Sequence, residues 1–303
     1  MNQDPYGNRQ QGQPRRRGGG LRIWVLVLFA GYAAYYYFSN RTVDPYTGEK
    51  VMIDKSLSAE EESAMGLQAY REILSQERPV DPNSQGARQI REIARRLIAR
   101  VDEVEADLAA EKGLQAQNYA ANFQWEVNVI QSDQANAFAL PGGKMAVYTG
   151  LVPVAKNADG MAVVMGHEIA HALMRHGAQR MARGKLEQIG QMAGAASGMD
   201  AGTLQTVMSA YGVTSALPYA RAHETQADEV GLMLAAAACF DPAEAVPLWQ
   251  RMGQMSGGQA PSEFASTHPS AETRIQNLQA LQPKALAFRQ KYCGQAGAGV
   301  SAD

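Results

Sequence analysis

The chain has 303 residues, of which 46% are hydrophobic and 19% are charged, and its formal net charge is -2. This length allows one large domain with appendages or two small domains. The composition excludes a multi-span transporter and a disordered, highly charged chain. A near-neutral charge also argues against a dedicated nucleic-acid-binding protein, because phosphate contacts need a concentrated basic surface. We therefore expect a folded protein with no nucleic-acid partner.

The charge is unevenly distributed along the chain. Residues 1–22 carry five arginines and one aspartate, a net charge of +4, so the remaining residues carry -6. The segment that follows, residues 23–38, has no charged residue and is rich in aromatic residues. As a helix it is slightly shorter than a hydrocarbon layer of about 30 Å, but aromatic ends suit the two membrane interfaces. We expect residues 21–39 to be a transmembrane anchor in contact with the lipid bilayer.

The arginine cluster lies before this segment, and only Arg41 and Lys50 follow it closely. The positive-inside rule then makes residues 1–20 a basic cytoplasmic tail and exports the rest of the chain. This predicts a single-pass protein of the bacterial inner membrane with a periplasmic domain. The alternative is a cleaved signal peptide and a soluble periplasmic protein. A mitochondrial location is less favoured, because the first 20 residues lack the serines and amphipathic pattern of a transit peptide.

The polar residues 40–57 are rich in turn-forming dipeptides and predict a juxtamembrane linker. Ser58 and Glu61 have the spacing of a capping box at the start of a helix. Apolar residues at helical spacing predict a second helix from Ile90 to Val104. The folded domain is therefore expected to begin at residue 58.

Strands are predicted in the middle of the chain and helices after it. Alternating apolar residues over 123–129 predict one strand, and residues 136–140 and 145–149, around a Pro-Gly-Gly turn, predict a strand pair. After Gly150 the pattern is helical almost to the end. Residues 183–215 are rich in Gly, Ala, Met and Gln, which predicts either a packed helical hairpin or a mobile flap. The expected fold class is α+β, mostly helical with a small β-sheet.

The clearest chemical signal is His167-Glu-Ile-Ala-His171, within an apolar helical stretch. Histidines at i and i+4 lie about 40° apart around a helix, so both imidazoles can bind one ion. Glu168 is offset by about 100°, which keeps it off the ion and lets it take a proton from a bound water. The motif predicts a catalytic site for one Zn²⁺ per chain.

A catalytic zinc site needs a third protein ligand. Met174 and Gly177 stand where a metzincin would have glycine and histidine, and His176 points away from the ligand face, so we interpret it as a cap for the helix end. Glu224 and Asp228 are one helical turn apart and precede an apolar stretch. They predict Glu224 as the third ligand and Asp228 as the acceptor for a ligand imidazole N–H. A solvated acidic face is the alternative.

These motifs resemble those of the membrane-associated zinc endopeptidases that include HtpX, the CAAX prenyl-protein proteases and the OMA-type proteases. The similar elements are residues 136–151, the histidine motif, the Glu224 and Asp228 pair, and His268-Pro269 with Arg274. The resemblance implies a gluzincin-like metallopeptidase domain over residues 58–283, with 284–303 as a C-terminal tail. Residues 44–48 (Asp-Pro-Tyr-Thr-Gly) and the single anchor are more similar to bacterial OMA-type members than to the multi-span HtpX branch.

The resemblance implies a zinc-dependent endopeptidase that degrades unfolded, damaged or misassembled envelope proteins. Glu168 is then the general base, and Arg274, ahead of Tyr219 or His268, is the expected donor to the developing oxyanion. An edge strand is expected to hold extended substrate by main-chain hydrogen bonds. Its candidate residues are Met145, Ala146, Val147 and Tyr148. Alternative functions are a zinc-bearing envelope chaperone or assembly scaffold, and a zinc hydrolase for another substrate class.

Two further hypotheses concern His268 and the cysteines. His268 is either a fourth zinc ligand that keeps the enzyme latent, as a latch, or a structural hydrogen-bonding residue. Cys239 and Cys293 are the only cysteines. In an exported domain they predict one disulfide, with a buried free thiol at Cys239 as the alternative.

Overall fold

Over the residues that the structure describes, the protein is a mostly helical α+β domain with two small sheets, which confirms the predicted α+β class. The computed structural model describes residues 22–256 and 272–294. The helices are α1 (Ile23–Ser39), α2 (Ala59–Gln76), α3 (Gln85–Ile98), α4 (Val101–Glu111), α5 (Val152–Ala155), α6 (Ala158–Leu173), α7 (His176–Ser197), α8 (Ala201–Tyr211), α9 (Leu217–Ala237), α10 (Ala245–Ser256) and α11 (Glu272–Cys293). The strands are β1 (Arg41–Val43), β2 (Lys50–Met52), β3 (Glu126–Ile130), β4 (Ala137–Leu140) and β5 (Lys144–Tyr148).

Helix α1 packs one side against α7 and exposes the other. Tyr36 lies in an apolar cluster with Ala182 and Ile189 of α7, whereas Trp24 and Phe38 are exposed. Among the described residues, no helix combines the length and the hydropathy needed to cross a bilayer. The transmembrane anchor therefore stays a prediction, and the basic tail, residues 1–20, lies outside the described part of the chain.

The segment expected to be a linker, residues 40–57, is folded. Strands β1 and β2 pair in antiparallel fashion, and the turn between them is held by Asp44, whose Oδ1 accepts hydrogen bonds from the backbone N–H groups of Tyr46 and Thr47 at 3.0 and 2.9 Å. The side chain of Tyr46 is buried in the main core. A polar, turn-rich sequence thus forms a hairpin because one aromatic side chain anchors it.

Helix α2 begins as predicted. The Ser58 side chain accepts from the backbone N–H of Glu61, and the Glu61 carboxylate accepts from the N–H of Ser58, so the capping box is confirmed. The helix predicted from Ile90 to Val104 is instead two helices, α3 and α4. The second begins just before two acidic residues, Asp102 and Glu103, which are favourable near a helix N-terminus and support a new start at this point.

The three-stranded sheet has the order β3-β5-β4. Strand β5 pairs with β3 in parallel and with β4 in antiparallel fashion, so both of its edges are occupied. The prediction of an edge strand at Met145, Ala146, Val147 and Tyr148 is therefore wrong. These four residues are buried in the centre of the sheet, where no peptide backbone can be added.

Helices α6 and α9 cross in close contact through two glycines. A Cβ atom on Gly231 would lie 2.6 Å from the backbone N of His167, and one on Gly166 would lie 2.6 Å from the carbonyl O of Gly231. Such contacts are shorter than any real Cβ makes, so the absence of side chains is what allows the approach. The two backbones are thereby close enough for the short side chain of Asp228 to reach α6.

Helices α7 and α8 form a helical hairpin, as in one of the two alternatives predicted for residues 183–215, although no residue of α8 is buried. The turn between them includes Gly198 in the left-handed region, at φ 87°, and Gly194 lies close to Leu204 across the pair. A cleft of about 690 Å³ between α1, α7 and α8 is lined almost entirely by apolar side chains. The hairpin therefore leaves an apolar surface next to α1.

Helix α11 extends past the expected domain boundary at residue 283. Ala285 and Phe288 are buried in the main core, and Cys293 forms a disulfide with Cys239, at the end of α9. The first part of the predicted C-terminal tail thus belongs to the domain. The disulfide joins the ends of the two helices that carry Asp228 and Arg274.

We expect the disulfide to contribute about 2–4 kcal/mol to the free energy of unfolding, because it closes a loop between residues 54 positions apart. The Cys239→Ser, Cys293→Ser double variant should lose this amount in denaturant unfolding. Thiol titration of the unfolded wild type should find thiols only after reduction. Free thiols before reduction, or a double variant as stable as wild type, would contradict the disulfide.

Candidate active site

Helices α6 and α9 bring three metal-binding side chains together. The Nε2 atoms of His167 and His171 are 3.1 Å apart. Glu224 reaches them from α9, with one oxygen 3.4 Å from His167 Nε2 and the other 3.4 Å from His171 Nε2. The two histidines are buried and Glu224 is mostly so. The motif on α6 and the acid on α9, which follows His171 by 53 positions in the chain, therefore meet at one point.

This cluster fits a zinc ion. Its three donor atoms lie within 4.8 Å of one another. Tetrahedral zinc holds nitrogen and oxygen ligands at about 2.0–2.2 Å, which separates them by roughly 3.3 Å. Two imidazoles and one carboxylate are also the donor set of a catalytic site that keeps its fourth position for water or substrate. His167, His171 and Glu224 would hold the ion.

Asp228 lies against the first of these histidines. Its Oδ1 lies 3.0 Å from His167 Nδ1 and accepts that N–H, which leaves Nε2 free for the metal. Burial and the charge of Arg274 lower the pKa of His167, but hydrogen bonds to Asp228 and Glu224 outweigh them and raise this pKa to about 9. The carboxylates of Asp228 and Glu224 thus favour positive charge at His167, as they would favour a bound cation.

Arg274, on α11, lies against the same carboxylates. One of its terminal nitrogens donates to Asp228 Oδ1 at 2.6 Å and the other to Glu224 Oε2 at 3.2 Å. Its guanidinium stacks on the buried Trp249, with Cζ 3.3 Å from the ring centroid. These contacts place the Arg274 guanidinium between the two carboxylates and Trp249. Burial raises the pKa of Asp228, but Arg274 and His167 outweigh it and lower this pKa, so Asp228 is ionised. The use of Arg274 as an oxyanion donor stays a prediction.

His176 is a site residue that the sequence interpretation missed. It was expected to cap α6, but it begins α7, and its Nδ1 lies 2.8 Å from Nδ1 of His171. Its Nε2 lies 3.2 Å from the side-chain oxygen of Gln226, and its ring stacks on that of His223 at 4.0 Å. A histidine directly after the histidine motif was a signal in itself, because the whole chain has only five.

Burial, together with the charge of Arg180, lowers the pKa of His223 to about 4. Burial also lowers the pKa of His176 well below its usual value, and the neighbouring His171 and His223 add to this effect. Tyr219 and the Nε2 of His223 both contact the side-chain oxygen of Gln179, at 2.9 and 3.1 Å. Tyr219 is thereby held by a neutral amide. His176 and His223 are both neutral in the folded protein at pH 7.

This predicts acid destabilisation. An unfolded histidine titrates near pH 6.5, whereas folded His223 stays neutral down to about pH 4. Between these values the unfolded state binds more protons, so the free energy of unfolding should fall as the pH falls, by up to about 1.4 kcal/mol per pH unit for this residue. Urea unfolding at a series of pH values should give a shallower acid slope for His223→Gln than for wild type. Parallel curves would contradict the assignment.

Glu168 completes the motif. It is buried on α6, directly after His167 in the chain. His268, the predicted latch, lies outside the described residues, so its two alternatives remain open.

Comparison with known proteins places these features in a family. The profile described as "Peptidase family M48" matches residues 95–282. The chain is 33% identical to the "Mitochondrial metalloendopeptidase OMA1" of Schizosaccharomyces pombe over 273 residues, 88% of this chain and 74% of the relative. It is 33% identical to the human "Metalloendopeptidase OMA1, mitochondrial" over 183 residues, 56% of this chain and 34% of the relative.

A bacterial protein is also similar to this chain. The chain is 31% identical to the "Beta-barrel assembly-enhancing protease" of Escherichia coli K12 over 160 residues, 48% of this chain and 32% of the relative. The chain thus spans most of the fission yeast protein but only about a third of the human and E. coli proteins. Since the family profile covers more than half of its residues, the chain belongs to peptidase family M48 and is a metalloendopeptidase of the OMA-type group.

Proposed function

We propose that this metalloendopeptidase uses zinc to hydrolyse peptide bonds of damaged or misassembled envelope proteins. The observation that carries the proposal is the meeting of His167, His171 and Glu224, with spacings suited to tetrahedral zinc, beside the acid Glu168. A bound zinc ion supplies a Lewis acid that polarises the scissile carbonyl and acidifies a water molecule.

Glu168 is the proton-transferring residue in this proposal. It lies next to His167 on α6 but is offset from the ligand face, so its carboxylate can accept the proton of the attacking water. The same group then returns that proton to the leaving amine when the tetrahedral intermediate breaks down. Asp228 and Arg274 hold His167 and Glu224 in place throughout.

Strand β4 replaces β5 as the proposed substrate-binding edge. It pairs with β5 along one edge and packs against α6, and it is the outer strand on its side of the sheet. The outer edge of β3, on the other side of the sheet, is partly paired with Pro79 and Val80. A groove beside it is lined by Leu140, Pro141 and the zinc-site residue His171. An extended chain added to β4 would therefore run past the site, held by main-chain hydrogen bonds with little sequence preference.

Two features support an envelope location. A disulfide persists in an oxidising compartment such as the periplasm. The exposed apolar side of α1, with Trp24, Leu28 and Phe38, suits a lipid environment. We propose a single-pass inner-membrane protein with its cytoplasmic N-terminus before α1 and its catalytic domain in the periplasm. Carbonate extraction should leave it in the membrane, and a soluble periplasmic protein would indicate the cleaved signal peptide instead.

Misassembled envelope proteins are proposed as substrates because the E. coli relative is named for β-barrel assembly. The second candidate, a zinc-bearing chaperone or scaffold, would use the same groove to hold unfolded chains without cleaving them.

The purified, zinc-loaded protein, incubated with casein, distinguishes the two functions. We expect cleavage that a chelator abolishes and that zinc restores. Binding of casein without cleavage, by protein whose zinc content is one ion per chain, would favour the scaffold. Deletion of the gene that encodes this protein should also increase the level of misfolded envelope proteins in cells. Unchanged levels of these proteins would contradict the proposed substrate class.

A further inference from the structure

A chain of hydrogen bonds connects the zinc site to the β-hairpin that follows α1. Glu49, in the hairpin turn, accepts a hydrogen bond from the side-chain amide N of Gln226 at 2.7 Å. The amide oxygen of Gln226 lies 3.2 Å from His176 Nε2, and His176 Nδ1 lies 2.8 Å from His171 Nδ1. Four side chains from β1–β2, α9, α7 and α6 are thereby connected in series.

The direction of every bond in this series follows from its first member. A carboxylate accepts hydrogen bonds and an amide NH₂ donates them, so Glu49 fixes the side-chain orientation of Gln226. The amide oxygen then faces His176 and must accept the proton of Nε2. A neutral imidazole carries one proton, so His176 Nδ1 is an acceptor and takes the proton of His171 Nδ1.

We infer that Glu49, Gln226 and His176 are positioning residues that set the tautomer of the zinc ligand His171. With its proton on Nδ1, His171 presents the lone pair of Nε2 to the site, as Asp228 makes His167 do. The two histidines of one motif are thus oriented by different means, a direct carboxylate for His167 and a relay for His171. This inference rests on the proposed zinc site but not on peptidase activity.

Hydrogen bonds within the hairpin fix the backbone position of Glu49. Asp44 Oδ1 holds the turn through backbone N–H groups, and the backbone N–H of Asp44 donates to the carbonyl of Glu49 at 2.9 Å. Asn40 Oδ1 accepts from the backbone N–H of Lys55 at 2.9 Å, which joins the end of α1 to the chain after β2. The geometry of the metal ligand therefore depends on the segment that connects the domain to α1.

Substitution of Glu49 tests the relay without removing a buried group, because Glu49 is exposed. A glutamine at this position can donate as well as accept, so Gln226 can turn its NH₂ towards His176. That orientation favours a proton on His176 Nδ1 and opposes the one on His171 Nδ1. We expect Glu49→Gln to weaken zinc binding to the full-length protein by about 2- to 10-fold, as for the loss of one hydrogen bond.

His176→Gln should weaken zinc binding by about 10- to 100-fold, as expected when the partner of a ligand histidine is removed. Adding Glu49→Gln to it should then have no further effect, since the relay is already broken. The matched control is Glu72→Gln, an exposed acid on α2, which should leave zinc affinity unchanged. Affinity is measured by competition with a chromophoric chelator. Additive effects of Glu49→Gln and His176→Gln, or an unchanged affinity in Glu49→Gln, would overturn the relay.

Nitrogen-15 NMR of histidine-labelled, zinc-loaded wild type provides a test that needs no variant. We expect a protonated Nε2 and an unprotonated Nδ1 in His176, and a protonated Nδ1 in His171. A proton on His176 Nδ1 would overturn the inference. Wild type that binds zinc as predicted but cleaves nothing would refute the proposed function and leave the relay intact, whereas wild type that binds no zinc would refute the site itself.

Discussion

Replacing Glu168 with glutamine should lower peptidase activity by about 100- to 10,000-fold, the range that a general base contributes. Glutamine has nearly the same shape as glutamate but cannot take up the proton of the attacking water. Because Glu168 is not a zinc ligand in this account, the variant should bind zinc as tightly as wild type. Casein cleavage and zinc content, measured on the same preparation, test both halves of the expectation.

Glu60→Gln is a matched control for this experiment, since Glu60 is an exposed acid on α2. It should retain full activity. Comparable cleavage by Glu168→Gln and wild type would show that another group takes the proton. Loss of zinc together with activity would show that Glu168 contributes to metal binding rather than to proton transfer.

The second large effect is expected from Gly231→Ala. The new Cβ would lie 2.6 Å from the backbone N of His167 and 2.7 Å from the backbone C of Gly166, so α9 must move away from α6. Glu224 and Asp228 move with it, because both are on α9 within two turns of Gly231. We expect zinc affinity to fall by at least about 10-fold, and the free energy of unfolding to fall by about 1–3 kcal/mol, as for an overpacked core.

Gly184→Ala separates this steric effect from the general effect of alanine in a helix. Gly184 is on α7, and a Cβ at this position would meet nothing within 4 Å. This variant should keep its zinc affinity and be as stable as wild type or up to about 1 kcal/mol more stable. Equal zinc affinity in the Gly231→Ala variant and in wild type would show that the site tolerates a wider separation of α6 and α9.

The metal ligands could be proposed from the sequence because each is part of a local helical pattern. His167 and His171 are one turn apart, as are Glu224 and Asp228, and helical geometry alone places each pair on one face. The pairing of these two faces is not local. It depends on the contact between Gly166 and Gly231, which are 65 positions apart in the chain, so that no helical periodicity connects them.

Strand β5 shows why the substrate-binding edge was misplaced. The Pro-Gly-Gly turn that precedes it indicates a strand pair, which the structure contains as β4 and β5. The pattern does not reveal that β3 joins β5 from the other side, in parallel, so that β5 is the central strand. Strand order depends on contacts between distant segments, whereas the sequence pattern of a strand shows only which of its side chains point to each face of the sheet.

The hairpin at residues 40–57 and the role of His176 were missed for a related reason. The hairpin has few apolar residues, and its fold depends on Asp44 and on the burial of Tyr46 against distant parts of the core. His176 lies just past the end of α6, where helical spacing no longer predicts direction. Its contact with His171 depends on the sharp turn at Arg175, which has a φ of 54°.

The central claim is that His167, His171 and Glu224 bind one zinc ion that serves hydrolysis. X-ray absorption at the zinc edge, on the purified full-length protein, tests it most directly. We expect about one zinc per chain with two imidazole nitrogens and carboxylate or water oxygens at about 2.0–2.2 Å, and the loss of one oxygen ligand in Glu224→Ala. A zinc site without two imidazoles, or an unchanged spectrum in Glu224→Ala, would contradict it.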